Sequence, residues 1–371
     1  MSAPALPRWA DIVVLPLVNL AAALLVAGAV VALIGQNPGE VLTQLVRGAF
    51  GSLRGFSYTL YYTTTFIFTG LAVAVAAHGG LFNIGAEGQA TMGGLGAGLL
   101  ALWLSSHLPA AVMLPLMVVA AALFGAAWAG VPAYLQAYRG SHIVITTIMF
   151  NFIANTLLVY LLVNVLKPPG GMAVESAEFG PAAHLPTLQE ALAPLGIEWP
   201  SSPLNLSFLL ALAAAAFVYV YLWRTRAGYR LRTVGSSLRA AEYAGIRPAH
   251  QMMIAMGISG ALAGLVGINE IAGVHRRLLL DFVAGAGFTG IAVAMMGRNH
   301  PVGIVLASLL FGALFQGGAE VSFEMPGFSR DMVVTLQGFI ILFSGAMAYV
   351  LAPSLARLIH GIPVIAKRRQ T

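Results

Sequence analysis

Ala110–Tyr138 reads AAVMLPLMVVAAALFGAAWAGVPAYLQAY, a run of 29 residues without a single charge. An α-helix rises about 1.5 Å per residue, so about 20 apolar residues cross the ~30 Å hydrocarbon core of a bilayer. The run is therefore predicted to be a transmembrane helix. A helix of this kind indicates an α-helical membrane protein.

The composition of the whole chain extends this prediction. Charged residues make up 9% of its 371 residues, against about 25% in an average soluble domain. Hydrophobic residues make up 59%, and the mean hydropathy is +0.86. So few charges cannot cover the surface of a soluble protein of this size. A soluble enzyme, a disordered chain and a nucleic-acid-binding protein are therefore excluded, and we expect an all-α protein whose partner surface is the lipid bilayer.

Nine further segments have the composition of a membrane span, so about ten transmembrane helices are predicted. Most are uncharged or carry a single glutamate. In chain order they are Ile12–Ile34, Phe56–Ala77, Leu81–Leu104, His142–Leu166, Leu204–Trp223, Gln251–Gly273, Phe282–Gly297, Val302–Ala319 and Met332–Ala352. The short pair Phe282–Gly297 and Val302–Ala319 is alternatively one re-entrant element.

The distribution of arginine predicts the orientation of these helices. Arg224–His250 contains six Arg and one acidic residue, whereas Lys167–Pro203 contains four Glu and no Arg. By the positive-inside rule, 224–250 is a cytoplasmic loop and 167–203 an external one. The basic tail Lys367–Arg369 is then cytoplasmic too. Ten spans place both termini inside a multi-pass protein of the cell (inner) membrane, with residues 1–371 forming a single transmembrane domain.

Some charged residues fit this topology less well. Arg47, Arg54, Arg276 and Arg277 fall on the outer side. The last two belong to a charged cluster around a short external loop, which comprises Glu270, His275, Arg276, Arg277 and Asp281. We expect these residues to pair with one another rather than to receive an external protein. Glu320 and Glu324, near the same side, are assigned no role.

The order of the spans indicates an inverted repeat of five helices. Because five is odd, spans one to five and six to ten would have opposite orientations in the membrane. The third span of each half, Leu81–Leu104 or Phe282–Gly297, is rich in glycine. Glycine-interrupted segments at matching positions of two halves are typical of a substrate path.

The most informative polar residues lie at the start of the first of these segments. His78–Ala90 contains four glycines together with Asn83, Glu87 and Gln89. Polar groups at membrane depth cost several kcal/mol when they are unsatisfied, so they persist where they face a cavity or bond to one another. The trio either lines a substrate path or holds a helix–helix joint, and the residues alone favour neither. We include the trio in the predicted path.

Another set of polar side chains follows one helix face. Thr147, Asn151 and Asn155 are spaced four residues apart, so they form a stripe on the span that begins at His142. Such a stripe lines a path or bonds to neighbouring helices. We favour the path.

Aromatic residues complete the predicted path. Tyr62 and Phe66 share a face of the second span, where rings can stack on a nucleobase, although an interfacial aromatic belt is an equal alternative for the tyrosines. Phe82 belongs to the first glycine-rich stretch, and Phe288 and Thr289 belong to the second. We include all five in the path.

The basic loop contains a short predicted helix. Ser237 is suited to cap a helix over Leu238–Ala244, and Gly245 is suited to end it. The candidates for a docking surface on this helix are Ser237, Leu238, Arg239, Ala241, Glu242, Tyr243 and Gly245. A short helix with small apolar residues can occupy a groove of a partner, and the alternative is a basic loop that lies on anionic lipid headgroups.

The chain carries no recognisable site for ATP or for catalysis. A Walker A loop needs Gly-Lys-Ser/Thr, and neither Lys167 nor Lys367 follows a glycine-rich run. Cysteine is absent, and the histidines lack the spacing of metal ligands. We expect no catalytic residue, no metal and no cofactor in this chain. Any ATP that drives it would bind to another polypeptide.

Four motifs together carry a family resemblance. They are GLFNIGAEGQ at 80–89, ITTIMFN at 145–151, VGSSLRAAEYAGI at 234–246 and GAGFTGIAVAMMGR at 285–298. In this order the chain resembles, from about residue 60 to 350, the membrane permease subunits of nucleoside and simple-sugar ABC importers, in the branched-chain amino acid/ribose-type permease superfamily. One departure is Ser237-Leu238, where the family usually has Asn-Pro.

The resemblance implies the function and the partners. A permease of this kind takes solute from an external solute-binding protein and works with a second permease, here expected to be a different chain. It is driven by a nucleotide-binding ATPase subunit that contacts the coupling helix at 237–245. The Ala86–Gln89 motif looks more like that of nucleoside than of ribose importers. The alternative function is an ATP-independent secondary transporter with Glu87 as its ion or proton site.

Overall fold

The computed structural model describes residue 7, residues 14–325, 332–335, 337–339, and residues 342 and 356. The described part is helical apart from turns, loops and two isolated β-bridges. Its α-helices are α1 (Leu15–Leu33), α2 (Pro38–Phe50), α3 (Leu53–His78), α4 (Ala86–Leu104), α5 (Ala110–Arg139), α6 (Ile143–Leu161), α7 (Leu188–Leu192), α8 (Ser207–Arg224), α9 (Arg226–Ser236), α10 (Leu238–Tyr243), α11 (Pro248–Gly264), α12 (Ala286–Met296) and α13 (Pro301–Glu324). The all-α prediction is confirmed for these residues.

Two helices continue as π-helices. Leu162–Leu166 extends α6, and Ile268–His275 follows α11. With these extensions, six helical segments among the described residues are long and apolar enough to cross a membrane: Leu53–His78, Ala110–Arg139, Ile143–Leu166, Ser207–Arg224, Pro248–His275 and Pro301–Glu324. Shorter apolar helices cover Ala21–Leu33 and Ala286–Met296. The protein is thus a multi-pass membrane protein, while the count of ten spans stays a prediction.

The glycine-rich spans are shorter than the sequence predicts. α4 begins at Ala86 rather than at Leu81, because residues 81–85 are not helical. α12 has 11 residues and starts at Ala286 rather than at Phe282. A helix of this length rises only about 16 Å, half of a hydrocarbon core. Most of the predicted last span, Met332–Ala352, and the tail at 367–369 lie outside the described residues, as do residues 12 and 13.

The chain divides into two compact units. One comprises Ala49–Ala313 and contains every predicted path and coupling residue. The other comprises Met1–Gly48 and Leu314–Thr371. In this second unit, Gln44 donates a hydrogen bond to Glu324, and Gly48 lies directly against the side chain of Glu320. Both glutamates therefore have neighbours within their own unit.

Close helix contacts through glycine organise the larger unit. Gly93 of α4 lies against the backbone of Gly264 at the end of α11, and Gly125 of α5 lies against the carbonyl of Gly260. A β-carbon at any of these positions would collide with backbone atoms. Small residues let helices approach at backbone distance, which is how membrane helices gain packing energy without a hydrophobic driving force.

The segment 167–203 folds back onto the end of the π-helix that follows α11. Backbone amides of Ser176, Phe179 and Leu185 donate to the carbonyls of Leu278, Arg276 and Ala272 at 2.9, 2.8 and 3.0 Å. The short helix α7 within this segment starts with a capping box formed by Thr187 and Glu190. The segment is therefore an ordered layer over one end of the larger unit.

Ion pairs hold the same two segments together. Arg276 pairs with Glu190 at 3.3 Å, and Arg277 pairs with Glu175 at 2.6 Å and with Glu178 at 3.6 Å. The expectation that Arg276 and Arg277 pair within their own charged cluster is wrong, because the partners lie on the long loop, about 100 residues away in sequence. Both arginines, on the side predicted to be external, are thus paired with acidic residues.

Candidate functional site

Asn83 organises the non-helical stretch that precedes α4. Its side-chain oxygen accepts a hydrogen bond from the backbone N–H of Gly85 at 2.8 Å. Its amide nitrogen donates to Gln89 at 2.9 Å and to the hydroxyl of Ser259 on α11 at 2.8 Å. Ser259 donates in turn to the carbonyl of Ala72 on α3 at 2.6 Å. Asn83 and Gln89 are fully buried, so this network replaces the backbone bonds that the break removes.

The polar stripe on α6 supports the same break from the other side. Asn151 accepts from the backbone N–H of Gly88 and donates to the carbonyl of Ile84, both at 2.9 Å. Asn155 accepts from Thr91 on α4 at 3.3 Å, while Thr147 donates to Ile143 within its own helix at 2.8 Å. In this conformation Asn151 and Asn155 bond to the neighbouring helix. Their role in a solute path stays a prediction.

Glu87 joins the two broken helices. Its carboxylate accepts from the backbone N–H groups of Gly285 and Gly287, at 2.8 and 2.7 Å, where α12 begins. Gly285 has φ +79°, a conformation that glycine adopts without strain. A carboxylate at a helix N-terminus is stabilised by the unpaired N–H groups and by the helix dipole. The backbone of Gly287 also lies directly against that of Glu87.

The predicted aromatic residues do not form one cluster. Phe66 is buried, and its ring meets that of Phe311 edge-on at 6.2 Å. Tyr62 is half-buried, with its ring 5.1 Å from that of Tyr61. Phe82 and Phe288 are exposed, at 44% and 48%. Thr289 is half-buried and donates to the carbonyl of Gly285 at 3.3 Å. In this conformation Phe66 is packed away from any solute.

A second buried carboxylate lies nearer the end covered by the long loop. Glu270 accepts hydrogen bonds from the hydroxyl of Tyr61, from the hydroxyl of Thr65 at 2.7 Å and from the amide of Asn269 at 3.2 Å. We call these four residues the Glu270 cluster. Our sequence analysis grouped Glu270 with the charged residues of the external loop. Two features of the sequence could have indicated the cluster: a glutamate inside an apolar span, and the hydroxyl-rich face of α3.

The short helix in the basic loop forms close to where it is predicted. α10 ends at Tyr243, one residue before the predicted end, and the hydroxyl of Ser237 accepts from the backbone N–H of Ala240 at 3.3 Å. Gly245 has φ +72°, which fits the left-handed residue that commonly follows a helix. The Ser237-Leu238 departure from the family pattern therefore leaves the helix start intact.

The exposed surface of α10 differs from the predicted one at a single residue. Ala241 is fully buried and anchors the helix, so it does not face outward with Leu238. Tyr243 is 96% exposed and Leu238 is 48% exposed, and Arg239 and Glu242 are exposed as well. Beside the helix is an open cleft of about 660 Å³, lined by Tyr138, Glu242 and Gly245–His250.

The described residues include no group of three or more His, Cys, Asp or Glu that could hold a metal ion. They form a helical membrane protein in which two broken helices meet at a buried carboxylate, an architecture typical of solute transporters.

Comparison with known proteins supports the assignment to solute transporters and identifies the family. Residues 55–345 match the family model described as the permease component of the branched-chain amino acid transport system. The chain belongs to this permease family, and it is a membrane transport subunit. Membership implies a separate ATPase, a solute-binding protein and another permease as partners.

Three relatives illustrate the family. The chain is 37% identical to the glucose ABC transporter permease protein of Haloferax volcanii, over 88% of this chain and 86% of the relative. It is 35% identical to the guanosine ABC transporter permease protein of Bacillus subtilis, over 86% and 89%. It is 31% identical to a nucleoside ABC transporter permease protein of Lactococcus lactis, over 89% and 90%.

Proposed function

We propose that this chain is the permease subunit of an ABC importer that moves nucleosides, or a related sugar-containing solute, into the cytoplasm. The observation that carries the proposal is the similarity, over most of the chain, to permeases named for guanosine, nucleosides and glucose. These solutes share a hydroxylated ring, and they differ in whether a base is attached.

The proposed topology has ten spans, with both termini in the cytoplasm and residues 167–203 outside. A solute-binding protein delivers solute to the outer side, and a second permease, a different chain, completes the pathway. The broken ends of α4 and α12 lie at its centre. Coupling of this kind needs two global states that differ in their affinity for the solute.

Coupling to ATP is proposed to run through α10. Its exposed Leu238, Arg239, Glu242 and Tyr243 would contact the nucleotide-binding ATPase subunit, and Ala241 would fasten the helix to the permease. ATP would bind to the partner subunit alone. An exposed tyrosine beside an open cleft suits a protein contact, because tyrosine is enriched at the energetically important positions of interfaces.

The alternative of a secondary transporter needs Glu87 as an ion or proton site. Both oxygens of Glu87 accept hydrogen bonds from backbone N–H groups that cannot turn away without distorting the start of α12. Both donors would be left unpaired if the carboxylate bound an ion instead, so these hydrogen bonds support a structural role for Glu87 at the joint. The ATP-driven function is favoured by the similarity to ABC transporter permeases.

The test is uptake of radiolabelled guanosine, uridine, ribose and glucose in cells that carry the permease with its neighbouring transport genes. Each solute is measured with the ATPase intact and with its Walker lysine replaced. We expect uptake of at least one solute that is lost with that lysine. Uptake that survives the replacement and collapses with a protonophore would overturn the proposal in favour of a secondary transporter.

A further inference from the structure

The two buried carboxylates are bound by different kinds of donor. Glu87 accepts from backbone N–H groups at a helix N-terminus, whereas Glu270 accepts from three side-chain groups: a phenol, a hydroxyl and an amide. Hydroxyl and amide side chains change partners by rotating about single bonds, and backbone groups in a helix do not. Glu87 is thus suited to a permanent joint, and Glu270 to exchange with a ligand.

The Glu270 cluster lies towards the end of the larger unit that the 167–203 segment covers. At that end of α3, Ser57 accepts a hydrogen bond from the indole N–H of Trp199 at 3.0 Å. Tyr61 and Thr65 follow one and two turns later on the same helix face. At the other end of α3, the carbonyl of His78 lies directly against Gly235 of α9, which leads into α10. The cluster is therefore on the side from which solute is proposed to arrive.

Two neighbouring polar side chains fix the orientation of the Asn269 amide in the cluster. The side-chain oxygen of Asn269 accepts from Asn205 at 3.0 Å and from Ser207 at 2.7 Å. This leaves its amide nitrogen to donate to Thr65 at 2.8 Å and to Glu270 at 3.2 Å. All of these residues except Tyr61 are buried. The site therefore has convergent polar groups held by a second layer of polar side chains, as in small-molecule sites.

Aromatic surface adjoins the carboxylate. Tyr61 is partly exposed while its hydroxyl reaches Glu270, and the ring of Tyr62 lies 5.1 Å from the ring of Tyr61. The backbone at Glu270 is π-helical, a rare geometry that occurs frequently at functional sites. A carboxylate that accepts hydroxyl hydrogens, a neighbouring amide and an aromatic ring face are together the chemistry that recognises a sugar ring.

We propose that the Glu270 cluster is a subsite for the vicinal hydroxyls of the solute's sugar ring, and this rests on the proposed import function. In the bound state the two hydroxyls donate to the Glu270 carboxylate in place of Tyr61 and Thr65, and Asn269 donates to a sugar oxygen. Ribonucleosides and glucose both carry vicinal hydroxyls on the sugar ring, so one subsite serves either class. No base contact is needed.

The first test compares two solutes in proteoliposomes that hold the complete transporter with its binding protein. Guanosine and 2′,3′-dideoxyguanosine are each supplied at concentrations that saturate the binding protein, so that initial uptake rates report the permease step. Loss of a hydrogen bond to a charged group corresponds to about a tenfold effect or more. We expect Glu270→Gln to reduce guanosine uptake about tenfold and to leave dideoxyguanosine uptake within about twofold.

Ser259→Ala is the matched control, because it removes a buried hydroxyl from the Asn83 network instead. It should change the two rates by the same factor. Equal loss of both solutes in Glu270→Gln, or no loss of either, would overturn the subsite. A wild-type transporter that takes up none of the tested nucleosides or sugars would instead contradict the import function itself.

A second readout requires neither transport nor the binding protein. The chain has no cysteine, so Tyr62→Cys places a single thiol beside the cluster. We expect millimolar guanosine or ribose, but not guanine, to slow the reaction of this thiol with a maleimide, and we expect Glu270→Gln to abolish the protection. Protection by guanine alone, or protection that persists in Glu270→Gln, would contradict sugar recognition.

Discussion

At the scale of single residues, Glu87 shows how a charge becomes part of the architecture. An ionised carboxylate in an apolar span is costly unless its hydrogen bonds are satisfied. Two N–H groups of α12 satisfy it, and they would themselves be unpaired without it. Glu87 and α12 therefore stabilise each other, and each accounts for the position of the other.

Replacing this carboxylate should weaken the fold. In Glu87→Gln, the side-chain amide accepts from one N–H and turns its own NH₂ toward the other. We expect the free energy of unfolding to fall by about 1–3 kcal/mol, the cost of losing a charge-assisted hydrogen bond and leaving a donor unpaired. Thermal unfolding of the purified protein measures this. Glu198→Gln on the exposed loop is the control, and equal midpoints for the two variants would contradict the structural role.

At the scale of elements, local sequence signals predicted the bounds of α10 accurately, whereas apolar composition predicted the start of α12 four residues too early. A serine cap and a terminating glycine lie within the helix's own sequence, so its bounds were predicted to within one residue. Phe282–Gly297 contains no charged residue, although Asp281 precedes it, so composition alone predicts one span. The residues just before α12 adopt positive φ, at Asp281, Ala284 and Gly285, which composition does not reveal.

The candidate site shows the same division. The spacing of Thr147, Asn151 and Asn155 correctly predicts a polar stripe, because the helical period is a local property. That Asn151 meets Ile84, or that Glu270 meets Tyr61, depends on contacts between residues 67 and 209 positions apart. Nothing local encodes such contacts, so a single sequence does not reveal which buried carboxylate joins helices and which is held by side chains.

Replacing the exposed Tyr243 tests the docking role proposed for α10. Its side chain is 96% exposed, so Tyr243→Asp should leave the permease folded and remove an aromatic anchor from the proposed docking surface. Solute-stimulated ATPase activity of the reconstituted complex should fall roughly tenfold or more. Tyr229→Asp is the control, since this tyrosine is 63% exposed on the neighbouring helix α9. Unchanged stimulation in Tyr243→Asp would show that the docking assignment is wrong.

The attachment of the 167–203 segment should depend on pH. The backbone N–H of Thr187, with Arg276 nearby, holds the pKa of Glu190 below its usual value. Because the folded pKa is the lower one, the stabilisation is present above the unfolded pKa and is lost as pH falls through the folded value. The difference in thermal midpoint between wild type and Glu190→Gln should therefore begin to shrink as pH falls below about 4.3, the usual pKa of a glutamate, and should keep shrinking through the lower folded value. The free energy that this interaction adds to stability should be small, at most about 1 kcal/mol, because the Glu190–Arg276 pair is half-exposed.

Glu198→Gln provides the control for this pH dependence. We expect its midpoint to follow that of wild type at every pH, since Glu198 is exposed. A difference between the Glu190→Gln and wild-type midpoints that does not narrow between pH 5 and pH 3 would contradict the linkage.

At the scale of the whole molecule, the distribution of arginine predicts the orientation in the membrane. The basic residues of 224–250 are expected to stay in the cytoplasm, whereas the 167–203 segment, which has no Arg, is expected to cross. Arg276 and Arg277 depart from this prediction, and both are paired with glutamates of the 167–203 segment.

The orientation can be measured because the chain lacks cysteine. Met172→Cys places one thiol on the long loop at a position that is 99% exposed, and Tyr243→Cys places one on α10. In intact cells, a membrane-impermeant maleimide should label Met172→Cys and leave Tyr243→Cys unlabelled. After permeabilisation both should react at similar rates, since both positions are open to solvent. Labelling of Tyr243→Cys alone in intact cells would show that the true topology is the inverse of the predicted one. Helix α10 would then lie on the side that an ATPase cannot reach.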